Sequence, residues 1–101
     1  MTWVDVGEAG QPDGSVLAGD ANGTTLALAR VDGRWHAVET WCTHAECPLS
    51  DGWVEGAAIR CSCHGSLFDL ATGDVLAGPA EEPVRVFPTR VVDDRLEVEL
   101  G

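Results

Sequence analysis

Hydrophobic and polar residues alternate along several segments of this chain, with the period of two that is typical of β-strands. The segment from Trp3 to Val6 alternates in this way and predicts a short first strand. Longer strands are predicted from Thr24 to Val31 and from Arg34 to Glu39. No window of about 11 residues or more has the periodicity of an amphipathic helix. The pattern therefore predicts an all-β protein.

Turn sequences separate the first predicted strands. Asn22-Gly23 and Asp32-Gly33 are typical of tight hairpin turns, because the residues of each pair tolerate a positive φ. A strand beginning at Val16-Leu17 precedes the first of these turns, and Gln11-Pro12-Asp13-Gly14 predicts a loop before it. We therefore expect residues 1–40 to form an antiparallel meander.

Between Thr40 and Gly78 the pattern changes, because the predicted strands become short and glycines and turn residues become frequent. Ala57 to Arg60 and Ser66 to Leu70 are predicted as brief strands, and another begins at Val75 after a turn. Short strands with frequent glycines and turns are expected where the backbone wraps around a cofactor.

The carboxyl-terminal segment returns to longer extended stretches. Val84 to Val92 is predicted to be extended, with Pro88 interrupting it. Asp93-Asp94 then turns the chain into Arg95 to Leu100, where alternate apolar residues share one face. There is no linker and no internal repeat, so the 101 residues, 45% of them hydrophobic, indicate one domain with a small core.

The chain is strongly acidic, with a formal charge of −11 from 17 acidic residues against six basic ones, all of them arginine. Such a field repels phosphate backbones and anionic lipid, which argues against nucleic acid and membrane surfaces as partners. A protein partner with a basic surface would complement it. The alternative is that the charge only keeps the protein in solution.

The amino terminus, Met1 to Val6, has neither the basic region nor the long apolar stretch of a signal peptide. No run approaches the roughly 18 apolar residues that a membrane-spanning helix needs. We therefore expect a cytoplasmic location.

All four cysteines and two of the three histidines lie in two short blocks. Cys42 and His44 belong to the first block, and Cys61 and His64 to the second. Thiolates beside imidazoles are the ligands of a metal site. Their order and spacing differ from those of a zinc finger, in which a Cys pair precedes a His pair. A Rieske [2Fe–2S] centre, in which two His replace two Cys on one iron, is the alternative.

Cys42-Thr43-His44, followed after sixteen residues by the segment from Cys61 to Asp69, resembles the fingerprint of the Rieske iron–sulfur family. The similarity continues through residues 48–52 and 72–79 and, with the flanking strands, covers nearly the whole chain. It is to the small Rieske ferredoxins that supply electrons to multicomponent oxygenases.

The resemblance implies a Rieske fold. In that fold a small cluster-binding subdomain, here residues 41–78, is inserted into an antiparallel β-barrel-like base, here residues 1–40 and 79–101. The changes of pattern near Thr40 and Gly78 agree with these boundaries.

The resemblance also implies the ligands of a [2Fe–2S] cluster. Cys42 and Cys61 would bind the inner iron, and His44 and His64 the outer one. Neutral imidazoles leave the cluster less negative than four thiolates would, so it accepts an electron more readily. Rieske potentials accordingly lie at roughly −150 to +300 mV, against about −400 mV for plant-type clusters. A zinc or disulfide-only domain is the alternative.

Cys47 and Cys63 correspond to positions where respiratory Rieske proteins carry a disulfide that many oxygenase ferredoxins lack. A bridge here would close a loop of about 15 residues, which chain-entropy arguments rate near 3 kcal/mol. The reducing cytosol argues against it. We expect the disulfide, and two free buried thiols are the alternative.

Four further residues are implied to surround the cluster. Ser66 would donate a hydrogen bond to a bridging sulfide and raise the potential, unless it bonds only local backbone. Phe68 replaces a tyrosine of the respiratory relatives and lacks its hydroxyl, so we expect an intermediate potential. Gly65 would permit a close backbone approach. Pro79 resembles the proline loop that covers the cluster, with an ordinary turn as the alternative.

Two tryptophans border the motif, and one histidine lies apart from it. Trp41 and Trp53 border the site, and we expect them to pack in the core or at its rim, with partner contact as the alternative. His36 lies in a predicted strand away from the motif and is expected not to be a ligand.

The chain has no nucleophile elbow, no recognisable acid–base pair and no nucleotide-binding loop. Four protein ligands would leave the irons no open position for a substrate, which favours electron transfer over catalysis. We expect a monomeric carrier between a flavin-dependent NAD(P)H reductase and a terminal oxygenase. The alternatives are a bound redox subunit of the nitrite reductase or arsenite oxidase type and a structural zinc domain.

Overall fold

The computed structural model describes residues 2–42, 47–63 and 65–100. These residues form eleven strands and one short 3₁₀ helix, Leu49–Asp51, which lies between the fourth and fifth strands. The strands are β1 (Trp3–Glu8), β2 (Val16–Ala21), β3 (Thr24–Val31), β4 (Arg34–Glu39), β5 (Trp53–Glu55), β6 (Ala58–Arg60), β7 (Leu67–Asp69), β8 (Val75–Ala77), β9 (Val86–Phe87), β10 (Thr89–Val92) and β11 (Arg95–Glu99). The predicted all-β class is confirmed.

The central sheet has the strand order β2-β3-β4-β9, with every neighbouring pair antiparallel. Asn22-Gly23 joins β2 to β3 with φ values of 51° and 90°. Asp32-Gly33 joins β3 to β4 with φ values of 49° and 78°. Both hairpin turns and both long strands are as the sequence predicts.

Strand β1 does not continue this meander, so that part of the prediction is wrong. It pairs with the last strand, in a three-stranded sheet of order β1-β11-β10. Ala9, just after β1, donates its N–H to the Asp94 carbonyl at 2.9 Å and accepts the Trp35 indole N–H at 3.0 Å. These long-range bonds hold the end of β1 against the turn that precedes β11 and against β4. Alternation along a strand predicts which face is buried but not which strand is the partner.

A third sheet, of order β5-β6-β7-β8, is built wholly from residues between Trp53 and Ala77. Strand β5 and the 3₁₀ helix were not predicted, because three residues are too few for a periodic pattern. Over the described residues none of the three sheets closes into a barrel, so the predicted barrel-like base consists of open sheets. The division into base and cluster-binding subdomain stays a prediction.

The central sheet is buried on both faces, and successive residues of β3 point to different cores. Leu26 and Leu28 pack against the β1-β11-β10 sheet, in a core that includes Leu96 and Val98. Ala27 and Ala29 belong to the second core, whose larger members come from the third sheet and its neighbouring loops: Leu49, Ile59, Phe68 and Leu70. Small alanines on this face leave room for those bulky side chains.

Among the helical residues that the structure describes, none forms a segment long and apolar enough to span a membrane.

Candidate metal centre

The two ends of the first Cys–His block are held together by backbone bonds. Cys42 donates its N–H to the Cys47 carbonyl at 3.0 Å, and Trp41 forms an antiparallel bridge with Pro48. One residue beyond this bridge at either end, Leu49 donates its N–H to the Thr40 carbonyl. The predicted ligand His44 lies between these ends, outside the residues that the structure describes.

The second block is a tight loop between β6 and β7. The Cys61 N–H donates to the Ser66 carbonyl at 2.8 Å, and the Gly65 N–H donates to the Cys61 carbonyl at 3.1 Å. Gly65 has a φ of +77°, in the left-handed region that favours glycine. Its predicted close approach to a cofactor stays a prediction. His64, the other predicted imidazole ligand, also lies outside the described residues.

A disulfide between Cys47 and Cys63 joins the two loops, with 6.3 Å between the two Cα atoms. The predicted disulfide is therefore confirmed, and the alternative of two free thiols at these positions is wrong. Cys47 is half-buried and Cys63 is exposed. The two sulfurs are consequently not available as metal ligands.

Cys42 and Cys61 are free thiols and are 6% and 1% exposed. Both belong to the second core, where Leu49, Ile59 and Phe68 surround them with apolar side chains. A thiolate buried among such groups needs a cation to offset the loss of hydration, and a metal ion is the usual one. Two buried, unoxidised cysteines from loops that are tied together fit the thiolate half of a Rieske ligand set.

The complete ligand set stays a prediction. Over residues 2–42, 47–63 and 65–100 the structure contains no group of three or more His, Cys, Asp or Glu side chains that could hold a metal ion. His44 and His64, which would complete the set with Cys42 and Cys61, are not among those residues.

Ser66 is fully buried, and its hydroxyl oxygen accepts the N–H of Ala80 at 3.0 Å. This bond ties the second loop to the segment that contains Pro79, whose own side chain is exposed. A hydroxyl that accepts one bond still has its proton to donate. The predicted donation from Ser66 to a sulfide and the covering role of Pro79 remain predictions.

Phe68 is a core residue of the third sheet. It is fully buried on β7, where its neighbours across the sheet are Ile59 on β6 and Val75 on β8. The predicted effect of its missing hydroxyl on the potential stays a prediction.

Trp41 and Trp53 are 53% and 48% exposed and belong to neither core, so they do not pack in the core. Packing at its rim, and contact with a partner as the alternative, stay predictions. His36, on β4, is half-buried and lines a cleft with Leu70 and Ala71, the residues that follow β7. Burial lowers the pKa of its ring below the usual value, and the nearby backbone of Leu70 acts in the opposite direction.

Sequence reasoning missed one contact of the second loop. Arg60, the last residue of β6, donates from Nη1 to the Gly65 carbonyl at 2.6 Å and forms an ion pair with Glu55, with Nε and Oε2 2.6 Å apart. Nothing in the sequence marks Arg60 as more than a polar strand residue. Only its position immediately before Cys61 could have drawn attention to it.

Comparison with known proteins places this site in a family. The family model described as the Rieske [2Fe-2S] domain matches residues 2–88. The chain belongs to the Rieske [2Fe-2S] family. Its cofactor is therefore a Rieske-type [2Fe–2S] cluster, which the buried thiols of Cys42 and Cys61 fit.

This Rieske protein is similar to ferredoxins over nearly its whole length. The ferredoxin component of the naphthalene 1,2-dioxygenase system of Pseudomonas aeruginosa is 33% identical over 100 residues, which are 98% of this chain and 96% of the relative. The ferredoxin of carbazole 1,9a-dioxygenase from Nocardioides aromaticivorans IC177 is 29% identical, with a TM-score of 0.93 and 100% of both chains covered. A chain in a solved complex of reduced oxygenase and oxidized ferredoxin of carbazole 1,9a-dioxygenase is 30% identical, with a TM-score of 0.88 over 95% of this chain and 100% of that one. These Rieske relatives are electron carriers rather than enzymes, and so is this chain.

A putative NADH-dependent nitrite reductase small subunit from Mycobacterium tuberculosis shares the Rieske fold, with a TM-score of 0.88 over 99% of this chain and 96% of that one. Its sequence is 24% identical, so the likeness concerns the fold alone.

Proposed function

We propose that this Rieske ferredoxin carries single electrons to the terminal oxygenase of a ring-hydroxylating dioxygenase system. The observation that carries the proposal is the similarity to a dioxygenase ferredoxin component along 98% of the chain. The solved complex of a related ferredoxin with its oxygenase supports an oxygenase as the electron acceptor. The 24% identity with a nitrite reductase small subunit gives the bound-subunit alternative less support.

The site residues of the proposal divide into two pairs. Cys42 and Cys61 would bind one iron from within the second core, and His44 and His64 would bind the other. When bound, the cluster supplies the one-electron redox chemistry. The protein contributes the apolar surroundings of the thiols and the disulfide that ties the two loops together. Ser66 and Gly65 would shape the second loop, Phe68 the core beneath it and Pro79 the segment beside it.

The remaining parts of the proposal concern organisation and partners. Residues 41–78 would be the cluster-binding subdomain and residues 1–40 and 79–101 the base. A flavin-dependent NAD(P)H reductase would supply the electrons, and the ferredoxin would act as a monomer. Because NAD(P)H is a cytoplasmic reductant, we place the protein in the cytoplasm.

Anaerobic purification from iron-replete cells tests the cofactor and its ligands. A coloured protein with two irons per chain and the EPR signal of a Rieske centre is expected. A colourless protein, or one that contains zinc, would contradict the proposal.

Reconstitution tests the function. With NADH in an amount just sufficient to reduce the ferredoxin, and a catalytic amount of flavin reductase, the visible absorption of the cluster is expected to bleach. It should recover under anaerobic conditions only when an oxidised terminal oxygenase is added. Omission of the reductase is the control. Bleaching without recovery would contradict the proposed acceptor, and gel filtration of a cell extract would then reveal a bound subunit by its elution with a larger enzyme.

A further inference from the structure

All three kinds of guanidinium nitrogen of Arg60 are engaged. Nε and Nη2 donate to the two carboxylate oxygens of Glu55, at 2.6 and 3.0 Å. Nη1 donates to the Gly65 carbonyl at 2.6 Å. The planar guanidinium is therefore fixed by a two-pronged ion pair on one side and by the backbone of the second loop on the other.

Glu55 is itself held in place from a second direction. The indole N–H of Trp53 donates to Glu55 Oε2 at 2.7 Å. The hydrogen bonds from Arg60 and Trp53 keep the pKa of the Glu55 carboxyl below its usual value, so the carboxylate is ionised at neutral pH. Exposed ion pairs contribute little to stability, because water already screens both charges. The significance of this pair lies instead in where it holds the guanidinium.

The orientation of the Gly65 carbonyl affects the next residue of the second loop. It belongs to the peptide group that joins Gly65 to Ser66, and it immediately follows His64. A peptide group is planar, so fixing its carbonyl also fixes the orientation of the Ser66 N–H. The loop from Cys61 to Ser66 is thus closed by two backbone bonds and by one bond from a charged side chain.

The two charges of the Arg60–Glu55 ion pair lie at different distances from the second loop. The guanidinium lies between the Glu55 carboxylate and the Gly65 carbonyl, so the positive end of the pair faces the loop. Reduction of a cluster adds one negative charge. A positive charge held beside the loop favours the reduced state and raises the reduction potential.

We propose that Arg60, held by Glu55, is a positioning residue that fixes the Cys61–Ser66 loop through the Gly65 carbonyl and thereby raises the reduction potential of the cluster. The part that concerns the potential rests on the proposed function. The part that concerns the loop does not, because the contact is made by residues that the structure describes.

Two variants test the proposal against a matched control. Arg60→Gln removes the charge and the two-pronged pair, whereas Arg60→Lys keeps the charge but cannot reproduce the planar geometry. Arg95→Gln is the control, because Arg95 forms a two-pronged pair with Asp5 at 3.0 Å in another sheet. All three are compared with wild type as purified, cluster-loaded protein.

Hydrogen exchange is the first measurement. The peptide that contains residues 61–66 is expected to exchange faster in both Arg60 variants than in wild type and in Arg95→Gln. Unchanged exchange in both Arg60 variants would overturn the positioning role. If wild type binds no cluster, the proposed function fails, yet this comparison still tests the contact with the loop.

Protein-film voltammetry is the second measurement. The potential is expected to fall in Arg60→Gln by more than it falls in Arg95→Gln, with Arg60→Lys between wild type and Arg60→Gln. Equal shifts in Arg60→Gln and Arg95→Gln would overturn the proposal, since each removes one positive charge. If Arg60→Gln loads too little iron for the measurement, Arg60→Lys is compared with wild type, and an unchanged potential together with unchanged exchange would overturn it.

Discussion

The hydroxyl oxygen of Ser66 accepts the backbone N–H of Ala80 at 3.0 Å, and both residues are buried. The bond connects the loop that carries Cys61 to a segment 14 residues further along the chain. The segment around Pro79 is thereby anchored by a side chain rather than by a strand.

Replacement of Ser66 by Ala should therefore destabilise the protein. The Ala80 N–H would lose its acceptor in a buried place, which costs about 1–3 kcal/mol. Urea denaturation monitored by tryptophan fluorescence measures the change. Ser62→Ala is the matched control, because Ser62 is an exposed serine of the same loop. Equal stability of the two variants would contradict the role given to this bond.

The disulfide between Cys47 and Cys63 should contribute to stability without contributing to cluster binding. The double variant Cys47→Ser with Cys63→Ser is expected to lose about 3 kcal/mol of unfolding free energy, because the bridge closes a loop of about 15 residues. Denaturation in the absence of thiols measures the loss, and iron analysis should give the same content as wild type. Loss of iron without loss of stability would be the opposite of what the structure implies.

The free thiols of Cys42 and Cys61, by contrast, should be required for cluster binding. Cys42→Ser and Cys61→Ser are each expected to lose the cluster, because a serine hydroxyl is a poor substitute for a soft thiolate ligand. Iron content and visible absorption measure this, and the double variant without the disulfide is the control. A Cys42→Ser protein that retained two irons and its colour would exclude that residue as a ligand.

The sequence predicted local features of the fold well, because their causes are local. Asn22-Gly23 and Asp32-Gly33 form the predicted hairpins, since residues that tolerate positive φ are required there. The pairing of β1 with β11 was missed, because it depends on bonds between residues distant in sequence, such as Ala9 to Asp94.

In the candidate site, too, some features were predicted from the sequence and others were not. The disulfide between Cys47 and Cys63 was predicted from the resemblance to Rieske proteins and is present. The contact of Arg60 with the Gly65 carbonyl could not be predicted, because it requires a folded hairpin that brings Glu55 to the same guanidinium. For Trp41 and Trp53 the sequence left core and rim positions open, because an aromatic side chain alone does not fix its burial, and the structure excludes the core.

Gly73 should tolerate alanine far less than another glycine of the same conformation. Its φ is +81°, and an added Cβ would lie 2.1 Å from the Val84 carbonyl oxygen, a backbone atom that cannot easily move. Gly33 is the control, since its φ is +78° and nothing lies within 4 Å of an added Cβ. We expect Gly33→Ala to cost about 1–2 kcal/mol from the backbone conformation alone. Gly73→Ala should lose clearly more or fail to accumulate as folded protein, and equal unfolding free energies would contradict the close packing.

His36 should make the protein less stable in mild acid. Burial lowers the pKa of its ring, and Arg34 lowers it further, whereas the backbone of Leu70 and the charge of Asp69 act in the opposite direction. Below the unfolded-state pKa of 6.5, the unfolded chain takes up a proton at this ring more readily than the folded one. The contribution of His36 is therefore fully present above pH 6.5 and is lost as the pH falls toward the folded-state pKa.

Urea denaturation at a series of pH values from 7.5 downward, about half a unit apart, measures this loss for wild type and for His36→Gln. Glutamine is polar and retains N–H donors but does not titrate. The difference in unfolding free energy between the two proteins isolates His36 from the other titrating groups. That difference should be constant above pH 6.5 and should shift in favour of His36→Gln below it, because only wild type then loses stability through this ring. A difference that stayed constant down to pH 5 would mean that His36 titrates equally in the folded and unfolded chains.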